Sequence, residues 1–110
     1  MLPRAAYVDP AVFAWEQSHF FGGGWMCVGR SEDLPNPGDQ RAESIGTAGV
    51  LLVRSDDGRL HAFANTCRHR GHELLGCGQS INRRVVACPY HSWGYELTGE
   101  LRAAKGFKGR

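Results

Sequence analysis

The residues of this 110-residue chain best suited to chemistry lie in two short stretches, "CRHRG" and "CPYHSW". Cys67 and His69 make a Cys-x-His pair, Cys88 and His91 a Cys-x-x-His pair, and eighteen residues separate the two. Each pair offers one thiolate and one imidazole, ligands that suit soft and borderline metals. His72 and Cys77 crowd the first pair, so residues 65–77 alone contain four candidate ligands. In an extended segment, residues two apart face the same side, so Cys67 and His69 can reach one site together. A tight turn at Pro89–Tyr90 folds Cys88 and His91 toward that site. A Cys2His2 zinc site has the right ligand types, but zinc knuckles usually group like with like. Here both knuckles are mixed. That alternation suits a two-iron cluster in which one iron takes both cysteines and the other both histidines.

The elements that must position these pairs are short. "DPAVFAWEQSHFF", Asp9 to Phe21, predicts one helix with Asp9 as N-cap and Pro10 at the first helical position. Phe13, Gln17 and Phe20 share one side of it, and Gly22–Gly24 stop it. Strand and turn signals follow: a strand over Trp25–Arg30, a loop over Asp33–Asp39, and a hairpin around Ser55-Asp56-Asp57-Gly58. A strand in "RRVVA" leads into the turn at Pro89, and "GYELTGELRA" predicts a last hairpin across Thr98-Gly99. Each ligand pair therefore sits just after a strand, and two loop tips on neighbouring strands can clasp one object. The expected fold class is mainly β, with a helical lead-in over residues 1–24 and the metal-binding domain over 25–110. The segment Arg102–Arg110, with four basic residues and no acid, reads as a solvated tail.

Bulk properties agree with a small metal-stapled domain. A chain this long holds one limited core, which a metal or cluster helps to stabilise. Apolar residues make up 42% and charged residues 22%, with a formal net charge of +2, which gives no reason to expect nucleic acid or a bilayer as partner. No window reaches the apolar length of a membrane span, and "MLPRAAYVDP" has no signal-peptide core. The expected compartment is the cytoplasm, where cysteines bind metal more often than they form disulfides.

"CRHRG…CPYHSW" resembles the Rieske motif in the form used by α subunits of ring-hydroxylating and related non-haem iron oxygenases. "YVDPAVFAWEQSHFFGGGWMCVGRSEDLPNPGDQ", "FANTCRHRGHELL" and "YELTGELRAA" fit the same family, so the resemblance spans nearly the whole chain. Two features depart from it: Ser92 stands where glycine is commoner, and the inter-pair spacing is slightly long. The resemblance implies a small fold of stacked antiparallel sheets with one [2Fe–2S] cluster on Cys67, His69, Cys88 and His91. Two ferric ions, two sulfides and two thiolates sum to zero charge, because neutral imidazoles add none. Reduction is then easier than for a four-cysteine cluster, with potentials of roughly −150 to +300 mV against about −400 mV.

Around the ligands, backbone amides near Gly71 and after Pro89 are candidate donors to sulfur. Ser92 and Tyr90 are candidate hydroxyl donors, Tyr90 equally a packing residue, and Trp93 packs against its loop. Arg68 and Arg70 flank His69 and either contact a partner's carboxylate or remain solvated. In Rieske proteins of respiratory complexes a disulfide joins the two loops at the positions of His72 and Tyr90. Its absence here points to the oxygenase or ferredoxin branch. Cys77 and Cys27 read as small buried or semi-exposed residues, His19 and His61 as ordinary polar positions.

The resemblance also implies what lies elsewhere. An oxygenase needs a mononuclear Fe(II) site, usually two histidines and a carboxylate, in a large domain after the Rieske module. Only nineteen residues follow His91 and none is histidine. The chain therefore reads as a truncated product or fragment, catalytically incomplete alone. In the intact enzyme a reductase or ferredoxin supplies electrons to a homotrimer. A free-standing Rieske ferredoxin is the alternative of similar length, but the helical lead-in puts Cys67 far later than a ferredoxin would.

Overall fold

The computed structural model describes residues 1–90 and 92–104. Two antiparallel sheets carry the two candidate loops. The larger has the order β3-β2-β1-β4, from β1 (Asp39–Ile45), β2 (Ala48–Arg54), β3 (Leu60–Ala64) and β4 (Ser80–Asn82). The smaller has the order β5-β6-β7, from β5 (Val86–Ala87), β6 (Gly94–Tyr95) and β7 (Leu101–Ala103). The β2–β3 hairpin turns at Asp57-Gly58, where Gly58 takes φ +85° as such a turn requires. Leu51 and Val53 of β2 share a buried cluster with Val86 and Tyr95 of the smaller sheet, with Trp93 and Leu97 on either side of β6, and with Cys67 and Cys88. The core of the domain is thus also the floor of the candidate site.

Two strands carry no apolar signal and escape a sequence reading. β1, "DQRAESI", alternates with Gln40 and Ala42 inward and polar residues between them. β4 is three exposed residues held by its ladder to β1 and by the Asn82 carboxamide, which donates to Pro37 O at 3.1 Å and Asp39 Oδ1 at 2.8 Å. Conversely, the strand expected over Trp25–Arg30 does not form. β4 pairs with β1 only over Asp39–Arg41, and the segment makes no ladder with the rest of that edge. It is fastened instead by the Arg41 guanidinium, which donates to the Val28 carbonyl at 3.2 Å, and Gly29 turns at φ +130°.

The helical lead-in forms as expected in outline. A short α1 (Ala5–Val8) precedes α2 (Pro10–Glu16), whose N-cap Asp9 accepts from the Ala11 amide at 2.9 Å. Over Gln17–Phe21 the helix widens to a π turn. There the Ser18 hydroxyl donates to the Ala14 and Trp15 carbonyls, and His19 Nδ1 donates to Trp15 O at 2.8 Å, which opens the backbone. The stripe of Phe13 and Phe20 finds no core: no residue of these helices is buried, and Trp25 is wholly exposed. Only the helix end touches the sheet, where Gln17 and Phe21 rest on the β1–β2 turn at Gly46. Arg102, read as the start of a tail, is instead in β7 with its guanidinium 3.6 Å from Glu96, and residues 105–110 lie outside the described residues.

Candidate metal centre

The two loops repeat one backbone design. In the first, the Cys67 amide donates to His72 O at 2.7 Å and the Gly71 amide donates back to Cys67 O at 2.7 Å. In the second, the Cys88 amide donates to Trp93 O at 2.8 Å and the Ser92 amide donates back to Cys88 O at 3.0 Å. Each closure starts at a cysteine, and in each the fifth residue is left-handed: Gly71 at φ +68° and Ser92 at φ +58°. This corrects the extended reading of Cys67–His69, because residues 68–70 form a turn. It also explains Ser92's departure from glycine as a strained position. Among the described residues Ser92 is the one non-glycine residue with positive φ.

A left-handed conformation costs a residue with a Cβ about 1–2 kcal/mol, and glycine's greater unfolded freedom takes back about 0.4–1 kcal/mol. Ser92→Gly is therefore expected to stabilise the chain by roughly 0.5–1 kcal/mol. Gly71→Ala has open space for its methyl group and is expected to cost about 1 kcal/mol through backbone strain alone. Urea titration of both variants checks the pair of opposite signs.

Two buried carboxamides pin the loops to the larger sheet. Asn65, at the end of β3, donates from Nδ2 to Leu75 O at 2.6 Å and accepts from the Leu75 amide at 3.1 Å. It treats the returning arm of the first loop as a neighbouring strand. Glu73 adds a second tie by accepting from the Cys77 amide at 3.1 Å. Gln40, inside β1, donates to Arg83 O at 3.2 Å and Val85 O at 3.1 Å, fixing the chain that enters the second loop.

Cys67 and Cys88 are each only 2% exposed. The Tyr95 hydroxyl lies 3.3 Å from Cys67 Sγ and accepts from the Arg68 amide at 3.0 Å, which leaves its proton for the sulfur. Burial pushes the Cys67 thiol up, but the Tyr95 hydroxyl, the His69 and Arg70 amides and the Cys88 side chain outweigh it and hold it below the ordinary thiol value. Burial first, and the bond to Cys67 second, push Tyr95 up. The site is thus wired for a thiolate at Cys67. The amide donors are those of His69 and Arg70, next to Gly71 as expected, while the Gly71 N–H itself closes the loop.

The His69 ring stacks on Trp93 of the other loop, centroids 4.5 Å apart and planes 12° apart. Trp93 packs as expected. Arg68 and Arg70 are exposed, and among the described residues neither joins an ion pair. Tyr90 and His72 stack on one another outside the cysteines, while Cys77 and Cys27, expected to be buried or semi-exposed, are exposed thiols. His91 lies outside the described residues, and among the described residues no three His, Cys, Asp or Glu side chains close on one point as a single-ion cage would. Two buried thiols with one accompanying imidazole fit one half of a shared cluster and part of the other. Tyr95 escaped the sequence reading because it looks like an ordinary strand aromatic; its signal is the short distance to the second pair, which puts it on the strand leaving that loop.

Residues 24–108 match the family described as Rieske [2Fe-2S] domain. Over 101 residues the chain is 43% identical to the glycine betaine monooxygenase oxygenase subunit of Chromohalobacter salexigens, covering 91% of this chain and 22% of that protein. It is 38% identical over 104 residues to the carnitine monooxygenase oxygenase subunit of Escherichia coli K12, covering 94% and 28%. Among solved structures, the quaternary ammonium Rieske monooxygenase CntA superposes with a TM-score of 0.85 at 34% identity, covering 96% of this chain and 29% of that one. Naphthalene 1,2-dioxygenase from Rhodococcus sp. superposes with a TM-score of 0.87 at 30% identity, covering 96% and 24%. The chain thus spans about a quarter of the length of the relatives it matches, and these are oxygenase subunits rather than free electron carriers. With the twin cysteine-led loops, the two sheets and the match over residues 24–108, the chain belongs to the Rieske [2Fe–2S] domain family, in the form found in oxygenase subunits.

Proposed function

We propose that Cys67, His69, Cys88 and His91 hold one Rieske [2Fe–2S] cluster between the two loops, within a unit formed by residues 25–110 and preceded by the helical lead-in 1–24. The observation that supports this most is the repeated closure: two like loops each begin at a cysteine, and both cysteines share one core. When bound, the cluster supplies one-electron redox chemistry. The side chains around it set how readily that electron is accepted. Hydrogen bonds from Tyr95, His69 and Arg70 to Cys67 sulfur favour the more electron-rich state. Trp93 covers one face of the His69 ring and keeps water from it. Arg70 acts through its amide on Cys67 sulfur, and Gly71, Tyr90, Ser92 and Trp93 act by shaping and packing the two loops.

Iron and sulfide reconstitution is the direct test. A red-brown chain with a reduced EPR signal of low average g is expected; a colourless chain with one zinc would overturn the reading. Tyr95→Phe is expected to lower the midpoint potential by about 50 mV, because a hydrogen bond of roughly 1 kcal/mol to a charged sulfur is lost. Spectroelectrochemical titration of the two proteins measures it.

In the intact protein, the proposed role is to take electrons from a reductase or ferredoxin in the cytoplasm and pass them to a mononuclear Fe(II) in a further domain. A homotrimer, in which one subunit's cluster serves its neighbour's iron, is the proposed assembly. The favoured substrate class is a quaternary ammonium compound losing a methyl group, since the chain is 43% identical to a glycine betaine monooxygenase oxygenase subunit. Hydroxylation of an aromatic ring is the second reading, supported by the fold match to naphthalene dioxygenase. Formaldehyde release from glycine betaine by the intact protein favours the first; oxidation of naphthalene alone favours the second.

A further inference from the structure

The inner sides of the two loops meet through Cys67, Tyr95, His69 and Trp93, all within or against the core. Their outer sides meet through two exposed rings. His72 and Tyr90 stack across the gap, centroids 5.3 Å apart and planes 15° apart, although Tyr90 is 55% exposed and His72 is also exposed. Exposed rings gain little by burial, so their parallel placement needs another cause. Each is held by its own loop. The His72 carbonyl accepts the Cys67 amide at 2.7 Å, and His72 Nδ1 donates to Glu73 O at 2.7 Å, which fixes the ring's rotation. Tyr90 sits in the turn after Pro89, whose ring stiffens the backbone, between the two ligand positions of the second loop.

We infer that His72 and Tyr90 form a non-covalent brace that sets the spacing of the two loops at their open side and slows loss of the cluster. They are positioning residues, and the inference rests on the cluster assignment above. Stacking joins the loops where neither sheet reaches: the first loop leaves the larger sheet and the second leaves the smaller. The brace therefore links the open sides of two halves that are otherwise joined below, through the core and the Gln40 carboxamide.

The test measures bleaching of the reconstituted chain by an iron chelator for wild type, His72→Ala, Tyr90→Ala, Tyr90→Phe and the double alanine variant. An aromatic pair has a coupling that corresponds to about two- to ten-fold in rate. Each alanine variant is expected to bleach faster by that factor, Tyr90→Phe to stay within about two-fold of wild type, and the double variant to be no faster than the faster single one. Should Tyr90→Ala fail to take up a cluster, His72→Ala against Tyr90→Phe still decides. The brace is overturned if Tyr90→Phe bleaches like Tyr90→Ala, if the two single effects multiply, or if a stable cluster is indifferent to every change. A wild-type chain that takes up no cluster overturns the cluster assignment and the brace with it.

Discussion

A Cys88→Ser chain is expected to emerge colourless from reconstitution, its cluster content falling from about one per chain to below detection. Serine is close in size, but its hydroxyl does not ionise at neutral pH and is a poor ligand for iron in a sulfide cluster. Cys88 is buried beside Val86, Trp93 and Tyr95, and both backbone bonds of its loop are made by main-chain groups that serine keeps. The loop should therefore retain its shape while losing its ligand, and far-ultraviolet circular dichroism should keep its β signature. Cys67→Ser is expected to behave alike, with the Tyr95 hydroxyl left facing an alcohol instead of a thiolate. Cys77→Ser is the matched control. Its thiol is exposed, and what its residue contributes is an amide donated to Glu73, which survives the change. Red Cys77→Ser beside colourless Cys88→Ser is the expected outcome; the reverse pattern would remove Cys88 from the ligand set.

The second large effect falls on a residue with no redox chemistry. Asn65→Ala removes both partners of Leu75, leaving an amide and a carbonyl to half-buried surroundings. Two lost hydrogen bonds and their unpaired groups are expected to cost about 2–3 kcal/mol. The loss is concentrated on one arm of the first loop, so cluster uptake should suffer more than the fold. Asn65→Asp offers a finer comparison: it keeps the acceptor for the Leu75 amide but faces Leu75 O with a carboxylate oxygen. It should lie below wild type even where alanine's cavity is absent. Urea unfolding for stability, and iron bound per chain after reconstitution, separate the two effects.

The chemistry-bearing part of this molecule was open to a sequence reading because its signals are local. The turn at Pro89–Tyr90, the Asp57-Gly58 hairpin and the Asp9-Pro10 helix start all lie within a few residues, and the structure has a turn or cap at each. What escaped depends on partners far along the chain. β1 reads as polar because Gln40 spends its amide on Arg83 and Val85, 43 and 45 residues away. The Trp25–Arg30 segment has a strand's composition, yet it is held by a side chain, the Arg41 guanidinium on Val28 O, and not by a backbone ladder. Tyr95 acquires its importance only when Cys67, 28 residues earlier, is folded against it. Ser92 was visible as a departure from glycine, but its left-handed backbone, which gives the departure a physical meaning, was not.

The twin closures have a further consequence for the proposed electron carrier. An electron moves quickly between centres only if the surroundings barely rearrange when it arrives. Here each loop is latched at both ends of its own turn, and Asn65 and Gln40 tie the neighbouring chain to the larger sheet. The dipoles that respond to added charge, the amides of His69 and Arg70 and the Tyr95 hydroxyl, already point at sulfur before any charge arrives. The protein's share of the reorganisation energy is therefore expected to be small. A fold this short can thus be a fast relay: speed comes from the stiffness of two six-residue latches, not from the size of the domain around them.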